Sequence, residues 1–394
     1  LPNLVKQGFR GPVYCTPATR DLLRLMLLDS ARIQEEDALH GNMGRGNGEP
    51  WQEPIYMRQD VIRALELCVP LPYNQVEEIL PGIKVQLVDA GHVLGSASVG
   101  ITVNWGGRDI RLTFSGDRGR PGMPLLRAPE PLPPADILVC ESTYGGQNHE
   151  PVEVMIEALR VLVRQTIQRG GKVLIPAFSL GRAQIVVHCL QEMLRQKKLP
   201  EIPVFVDSPL ASAVAEVYRD HPDCLTDEAA QQLQQPINFL GGPHLHYIRS
   251  IEESKQLNNY REPCVIVASS GMGEGGRILH HLKHNVDDPR CTVVLVSFQA
   301  PDTLGSRLLE RKPTVRFLGR EWNKWADVVV LKGFSGHADQ TDLVNSLSPL
   351  IGRAGKVRLV HGEIEQSEAL ARTLRERGFE DVDIPTQGTA LSLA

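Results

Sequence analysis

The sequence has 394 residues, 42% hydrophobic and 23% charged, with a formal net charge of −5 at pH 7. Such a chain resembles an average soluble globular protein long enough for two cored domains; disordered, fibrous and broadly basic nucleic-acid-coating classes are excluded, while a local basic cleft is not. No apolar run approaches the roughly 18 residues that span a bilayer, and the opening LPNLVKQGFR lacks the basic-then-apolar layout of a signal peptide, so a cytoplasmic protein without a membrane partner is expected. The seven cysteines are widely spaced, the nearest pair, Cys264 and Cys291, lying 27 residues apart. Without a CxxC they read as reduced, buried thiols rather than a zinc ribbon or a redox dithiol.

In chain order, the glycine-rich segment 40–53 reads as a surface loop. From Ile83, the runs IKVQLVDA, VGITVNW, IRLTFSGD and DILVCESTYG read as strands, two of them joined as a hairpin through Gly106 and Gly107. Residues 151–169 carry apolar positions at helical spacing between Pro151 and Gly170, which predicts a helix packed on the sheet. Beyond it KVLIPAF, PVFVDSP, CVIVASS and CTVVLVSFQ alternate with helical patterns, the signature of a parallel α/β sheet. ADVVVLKGFSGHAD, KVRLVHGE and a last helix close the chain.

Four expected strand ends carry reactive side chains: His92 in DAGHVLGS, Asp117 in FSGDRG, Glu141 in CESTYG and His361 in RLVHGE. Each alone is readily explained as a turn or cap residue. Together, at the ends of strands in one sheet, they would converge on a single rim and favour a site. Histidine and aspartate suit zinc, and a carboxylate can bridge two ions of the kind that hydrolyse phosphodiesters. Two histidines and one aspartate nevertheless fall short of the four donors that each zinc wants. His337, in KGFSGHADQ, is either a loop histidine or, with a carboxylate such as Glu141 beside it, a proton donor to a leaving oxygen.

His280, His281 and His284 lack the glutamate of an HExxH, and His244 and His246 have no following acid, so both groups are read as structural. Gly271, Gly273 and Gly276 match G-x-G-x-x-G between a strand and a helix, but no ribose-binding acid follows the next strand. That leaves a dinucleotide-dependent enzyme a weak rival. Glycines there can still let backbone amides close around a phosphate, with Arg277 adding a charged fork.

The stretches DAGHVLGSAS, SGD, ESTYG, IPAFSLGRAQ, DSPLA, ASSGMGEGGR, FQAPDTLGSRLLE, FSGHAD and VHGE occur in the order seen in the beta-CASP branch of the metallo-β-lactamase fold, and the chain resembles these RNA-processing nucleases along nearly its whole length. The resemblance implies an α/β architecture: a metallo-β-lactamase αββα sandwich, incomplete at its N-terminal side, over residues 1–180 and 331–394, and an inserted α/β beta-CASP domain over 181–330. It implies two zinc ions, with His92 and His361 binding one each and Asp117 bridging them, and Glu141 orienting His337 as the proton donor. It gives Ser269, Ser270, Gly271, Gly273, Gly275, Gly276 and Arg277 to RNA phosphates, with Arg182 and Arg307. The implied partner is single-stranded RNA, cut by an endoribonuclease that also admits a 5′-exonuclease mode and a homodimer. DNA-acting members exist, but His361 in VHGE resembles the RNA-acting ones.

One family motif, His-x-His-x-Asp-His, is absent from these residues. The resemblance would place it just ahead of Leu1 in a longer parent, in which case the 394 residues alone hold zinc poorly and are inactive. The alternative is a protein of the same fold that binds RNA, or acts as a scaffold, without cutting.

Overall fold

The computed structural model describes residues 1–43 and 51–390. Strands β1 (Val13–Cys15) and β2 (Cys68–Pro70) pair in parallel around helices Pro17–Met43 and Arg58–Glu66. Next come β3 (Val76–Leu80), β4 (Ile83–Asp89), β5 (Ala97–Trp105), β6 (Arg108–Phe114) and β7 (Ile137–Glu141). After helix Val152–Gln168 the chain forms β8 (Val173–Pro176), β9 (Val204–Asp207), β10 (Leu245–Tyr247), β11 (Val265–Ala268) and β12 (Thr292–Leu295). A hairpin of β13 (Thr314–Phe317) and β14 (Arg320–Asn323) precedes β15 (Asp327–Val330), β16 (Lys356–Val360) and β17 (Val382–Asp383).

Two sheets organise the molecule. The seven-stranded sheet has the order β17-β16-β7-β6-β5-β4-β3, and the six-stranded sheet β10-β9-β11-β8-β12-β15. Every pairing in the six-stranded sheet is parallel, as the strand–helix alternation requires. Its central strands β8, β11 and β12 are buried at every position because both faces are covered. Val173, Ile175, Val265 and Val267 pack on one side with helices Val152–Gln168 and Arg182–Arg195, while Leu174, Ile266, Val293 and Leu295 pack on the other with Ile278 and Leu282. Each such side chain contributes about 1.5–3 kcal/mol on burial.

The hairpin forms where expected: Trp105 faces Arg108 across Gly106 and Gly107, whose φ angles of 59° and 82° are those of a primed two-residue turn that glycine adopts without strain. In the flanking segments, the seven-stranded sheet is accompanied among the described residues by the small β1–β2 pair. The six-stranded sheet takes in β8, which lies ahead of residue 181. The start of the segment read as a loop, residues 40–43, continues helix Pro17–Met43, and residues 44–50 lie outside the described residues. All seven cysteines are buried and unpaired. No described helix is long and apolar enough to cross a membrane.

Candidate active site

β4 and β6 are each antiparallel to β5, while β6, β7 and β16 run parallel in succession. The four strands β4, β6, β7 and β16 therefore end on the same edge of the sheet. They deliver His92, Asp117, Glu141 and His361 there. The loops after β4 and β6 touch through Gly119, whose N–H donates to the Ala90 carbonyl at 2.7 Å, and a Cβ on Gly119 would stand 1.9 Å from the Gly91 carbonyl oxygen. This close approach brings Asp117 to His92. His337 arrives from the other sheet, after β15 and the 3₁₀ turn Lys332–Phe334, and makes an antiparallel bridge to Gly119.

Asp117 lies between two imidazoles, with Oδ2 at 3.8 Å from His92 Nε2 and Oδ1 at 3.5 Å from His361 Nε2. Two donors on one tetrahedral zinc, each about 2.0–2.1 Å from it, stand roughly 3.3 Å apart, so each Asp117–histidine pair is close to the spacing of a shared ion. Donor type and spacing fit zinc on either side of one carboxylate. The buried His92 Nδ1 has no hydrogen-bond partner. Burial and the neighbouring His337 lower the proton affinity of His92, favouring the neutral imidazole that binds metals. Ligand atoms of His92, Asp117 and His337 also lie within 4.8 Å of one another, which makes His337 a geometrically available third donor.

Glu141 and His337 meet directly. His337 Nδ1 lies 3.0 Å from Glu141 Oε2 and 3.3 Å from Oε1. The carboxylate is 2% exposed and also accepts from the Arg118 backbone N–H and from the Thr143 hydroxyl at 2.6 Å. Burial alone would raise its pKa; the His337, Thr143 and Arg118 interactions outweigh burial and hold it below the ordinary carboxylate range. An ionised Glu141 favours the His337 tautomer that carries its proton on Nδ1. The His337 ring also sits 4.3 Å from that of His92 and 5.9 Å from that of His361, centroid to centroid.

The expected phosphate-binding residues do not gather into one open cradle. Ser269, Ser270, Gly271, Gly273, Gly275 and Gly276 form the loop after β11, but the Gly273 N–H donates to the Ser270 carbonyl and the Gly275 N–H to Ser270 Oγ, so the loop is closed on itself. Ser269 Oγ donates to Ser208 Oγ at 3.1 Å. Arg277 is not the free fork expected: Nη1 donates to Asp207 Oδ1 at 2.6 Å and to the Ile248 carbonyl, and Nη2 to the Arg249 carbonyl. Asp207, wholly buried, also accepts from Ser254 and His281 and needs these partners to remain ionised. Arg307 donates to the Asp302 carbonyl and lies 3.7 Å from Glu274. Arg182 differs, because its buried Nε and Nη1 have no partner, and desolvation brings its pKa down to about 10.

Sequence reasoning missed Arg118, Ser115 and Thr143. Arg118 is 2% exposed and ties the rim together, with Nη1 on Ser98 Oγ and Nη2 on the Glu130 carbonyl and Ser346 Oγ. Ser115 Oγ accepts from the Glu141 N–H at 3.0 Å. A small signal existed in FSGDRG, where a second charged residue directly follows Asp117.

Residues 183–308 match the Beta-Casp domain family, and residues 325–385 match the Zn-dependent metallo-hydrolase RNA specificity domain family. A ribonuclease of Thermus thermophilus is 36% identical over 380 residues, covering 96% of this chain and 82% of that protein. Transcription termination factor FttA of Pyrococcus abyssi is 33% identical over 387 residues, and FttA of Methanocaldococcus jannaschii 32% identical over 385. The chain spans 57% and 58% of the length of these two archaeal relatives.

Proposed function

The chain belongs to the beta-CASP family of the metallo-β-lactamase fold, and from that membership we propose that it hydrolyses phosphodiester bonds in single-stranded RNA. The observation that carries this reading is the Asp117 carboxylate between His92 and His361, with the Glu141–His337 pair on the same rim. The ribonuclease name of the Thermus relative and the RNA specificity domain match support RNA as the substrate. Residues 181–330 are assigned to the beta-CASP insertion and the flanking segments to the metallo-β-lactamase part.

In this reading His92 and His361 would each hold a zinc ion, with Asp117 as a ligand shared by both. When bound there, zinc would supply Lewis-acid polarisation of the phosphodiester. The chain's own residues handle the leaving group. Glu141, ionised, accepts a hydrogen bond from the Nδ1–H of His337 and so stabilises its imidazolium form. His337 then donates its Nε2 proton to the departing ribose oxygen as its bond to phosphorus breaks, while the attacking water bonds to phosphorus and gives up one proton to solvent, so no free alkoxide is expelled; such positioned transfer is worth about 10² to 10⁴ in rate. The side chains present give each ion one histidine and a shared aspartate, half of a tetrahedral set, so zinc affinity is expected to be weak with these donors alone.

The test is cleavage of internally and 5′-labelled single-stranded RNA in zinc buffer. Internal products are expected; mononucleotides released from the 5′ end would identify an exonucleolytic mode. Intact RNA together with tight RNA binding would favour the non-catalytic reading, and identical cleavage by His337→Ala would remove the assigned acid.

A further inference from the structure

The loops after β11, β8 and β12 leave three adjacent strands of the parallel sheet at their C-terminal ends. The connections depart in opposite directions, from β8 toward β9 and from β12 toward β15. A parallel sheet opens a ligand crevice at such a point. Gly271, in the loop after β11, is touched by the loops after both β8 and β12. On one side a Cβ at Gly271 would stand 3.0 Å from Phe178 Cδ2 and 3.1 Å from Cε2. On the other, Gln299 Nε2 donates to the Gly271 carbonyl at 3.1 Å, beside the buried Ser297. With Ser297 and Gln299 turned to the loop, the intervening Phe298 faces out.

Both rings are exposed, Phe178 by 41% and Phe298 by 58%, and among the described residues neither has an aromatic partner. An exposed ring presents a π-face on which a flat group can rest. Four residues beyond Phe178, at the start of helix Arg182–Arg195, stands Arg182 with its unpartnered buried guanidinium nitrogens. Aromatic faces beside an uncompensated cation match the two halves of a nucleotide, base and phosphate.

We propose that Phe178 and Phe298 are a nucleobase-stacking platform for single-stranded RNA, with Gly271 as the flat floor between them. This inference rests on the RNA reading given above. The glycine loop then acts by shape: a side chain at Gly271 would displace the Phe178 ring. Stacking on rings tolerates any base, so the platform would position the strand without reading its sequence.

The experiment uses the full chain carrying His337→Ala, so that RNA is bound without being cut. Fluorescence anisotropy is measured with a short labelled single-stranded RNA and with copies holding one abasic nucleotide at successive positions. Phe178→Ala and Phe298→Ala are each expected to weaken binding about 5- to 150-fold, the range of one base–aromatic stack. An abasic nucleotide at the platform should penalise the parent and leave these variants indifferent. Tryptophan at either position should restore binding, whereas leucine should not. An unchanged abasic penalty in the alanine variants, or rescue by leucine equal to that by tryptophan, overturns the platform while leaving RNA binding in place. Failure of the parent to bind any RNA overturns the RNA reading and the platform with it.

Discussion

The rims of the two sheets are built on one plan and equipped in opposite ways. At the seven-stranded rim the strand ends carry titratable side chains, and most are held by neighbours: Glu141 by His337, Thr143 and Arg118, and Asp117 between two histidines. At the six-stranded rim the strand ends carry glycine and phenylalanine, while the charged residues nearby are largely turned inward, as Arg277 is onto Asp207. The contrast separates chemistry from grip. Proton transfer needs side chains of tuned affinity in fixed places, whereas holding a strand needs backbone room and faces on which bases rest.

The largest effect expected from breaking this division is at the first rim. His337→Ala should lower single-turnover RNA cleavage by about 10² to 10⁴ while leaving RNA binding near that of the parent. An equal loss of binding would mean that the acid also grips. At the second rim the charges are predicted to serve stability. Asp207→Asn removes the acceptor shared by Arg277, His281 and Ser254 and should cost about 3–5 kcal/mol in urea unfolding, as for other broken buried ion pairs. Unaltered stability would show that Arg277 is free to leave Asp207.

Acid should distinguish the two regions as well. His188, on helix Arg182–Arg195, is pushed by burial down to about 4. The native imidazole stays neutral while the unfolded one takes a proton below about 6.5, so stability on the order of 3 kcal/mol should be lost as pH falls from about 6.5 toward 4. His188→Gln should flatten that window. Glu141 is held below its ordinary value, so its contribution is present above about 4.3 and is lost only as pH falls through the native value. Glu141→Gln should flatten the more acidic part of the profile. The smallest effect is expected away from both rims: Gly106→Ala, at φ 59°, should cost about 1–2 kcal/mol by thermal melting and leave cleavage unchanged.

Much of the first rim was legible because its residues sit at the ends of apolar runs, and strand direction alone sends such residues to an edge. His92, Asp117, Glu141 and His361 were each visible in that way. The bond between His337 and Glu141 spans 196 positions and depends on a crossing from β15 to the other sheet, which local patterning does not encode. The second rim was less legible. Arg277 in a glycine loop looks like a phosphate fork, and its capture by Asp207 depends on the packing of helix Ile278–Lys283 against β9 and β11. Phe178 and Phe298 read as ends of core strands, and their exposure depends on which neighbours fail to cover them.

By itself the sequence determined the β-rich and α/β blocks, the hairpin at Gly106 and Gly107, and which side chains stand at strand ends, because periodicity, turn chemistry and apolar run length act over a few residues. The tertiary structure decided which of those side chains meet, that buried guanidinium nitrogens of Arg182 stay without a partner, and which rings face water. Those outcomes depend on contacts between segments far apart in the chain, where burial and hydrogen bonding choose among partners that the local sequence leaves equivalent.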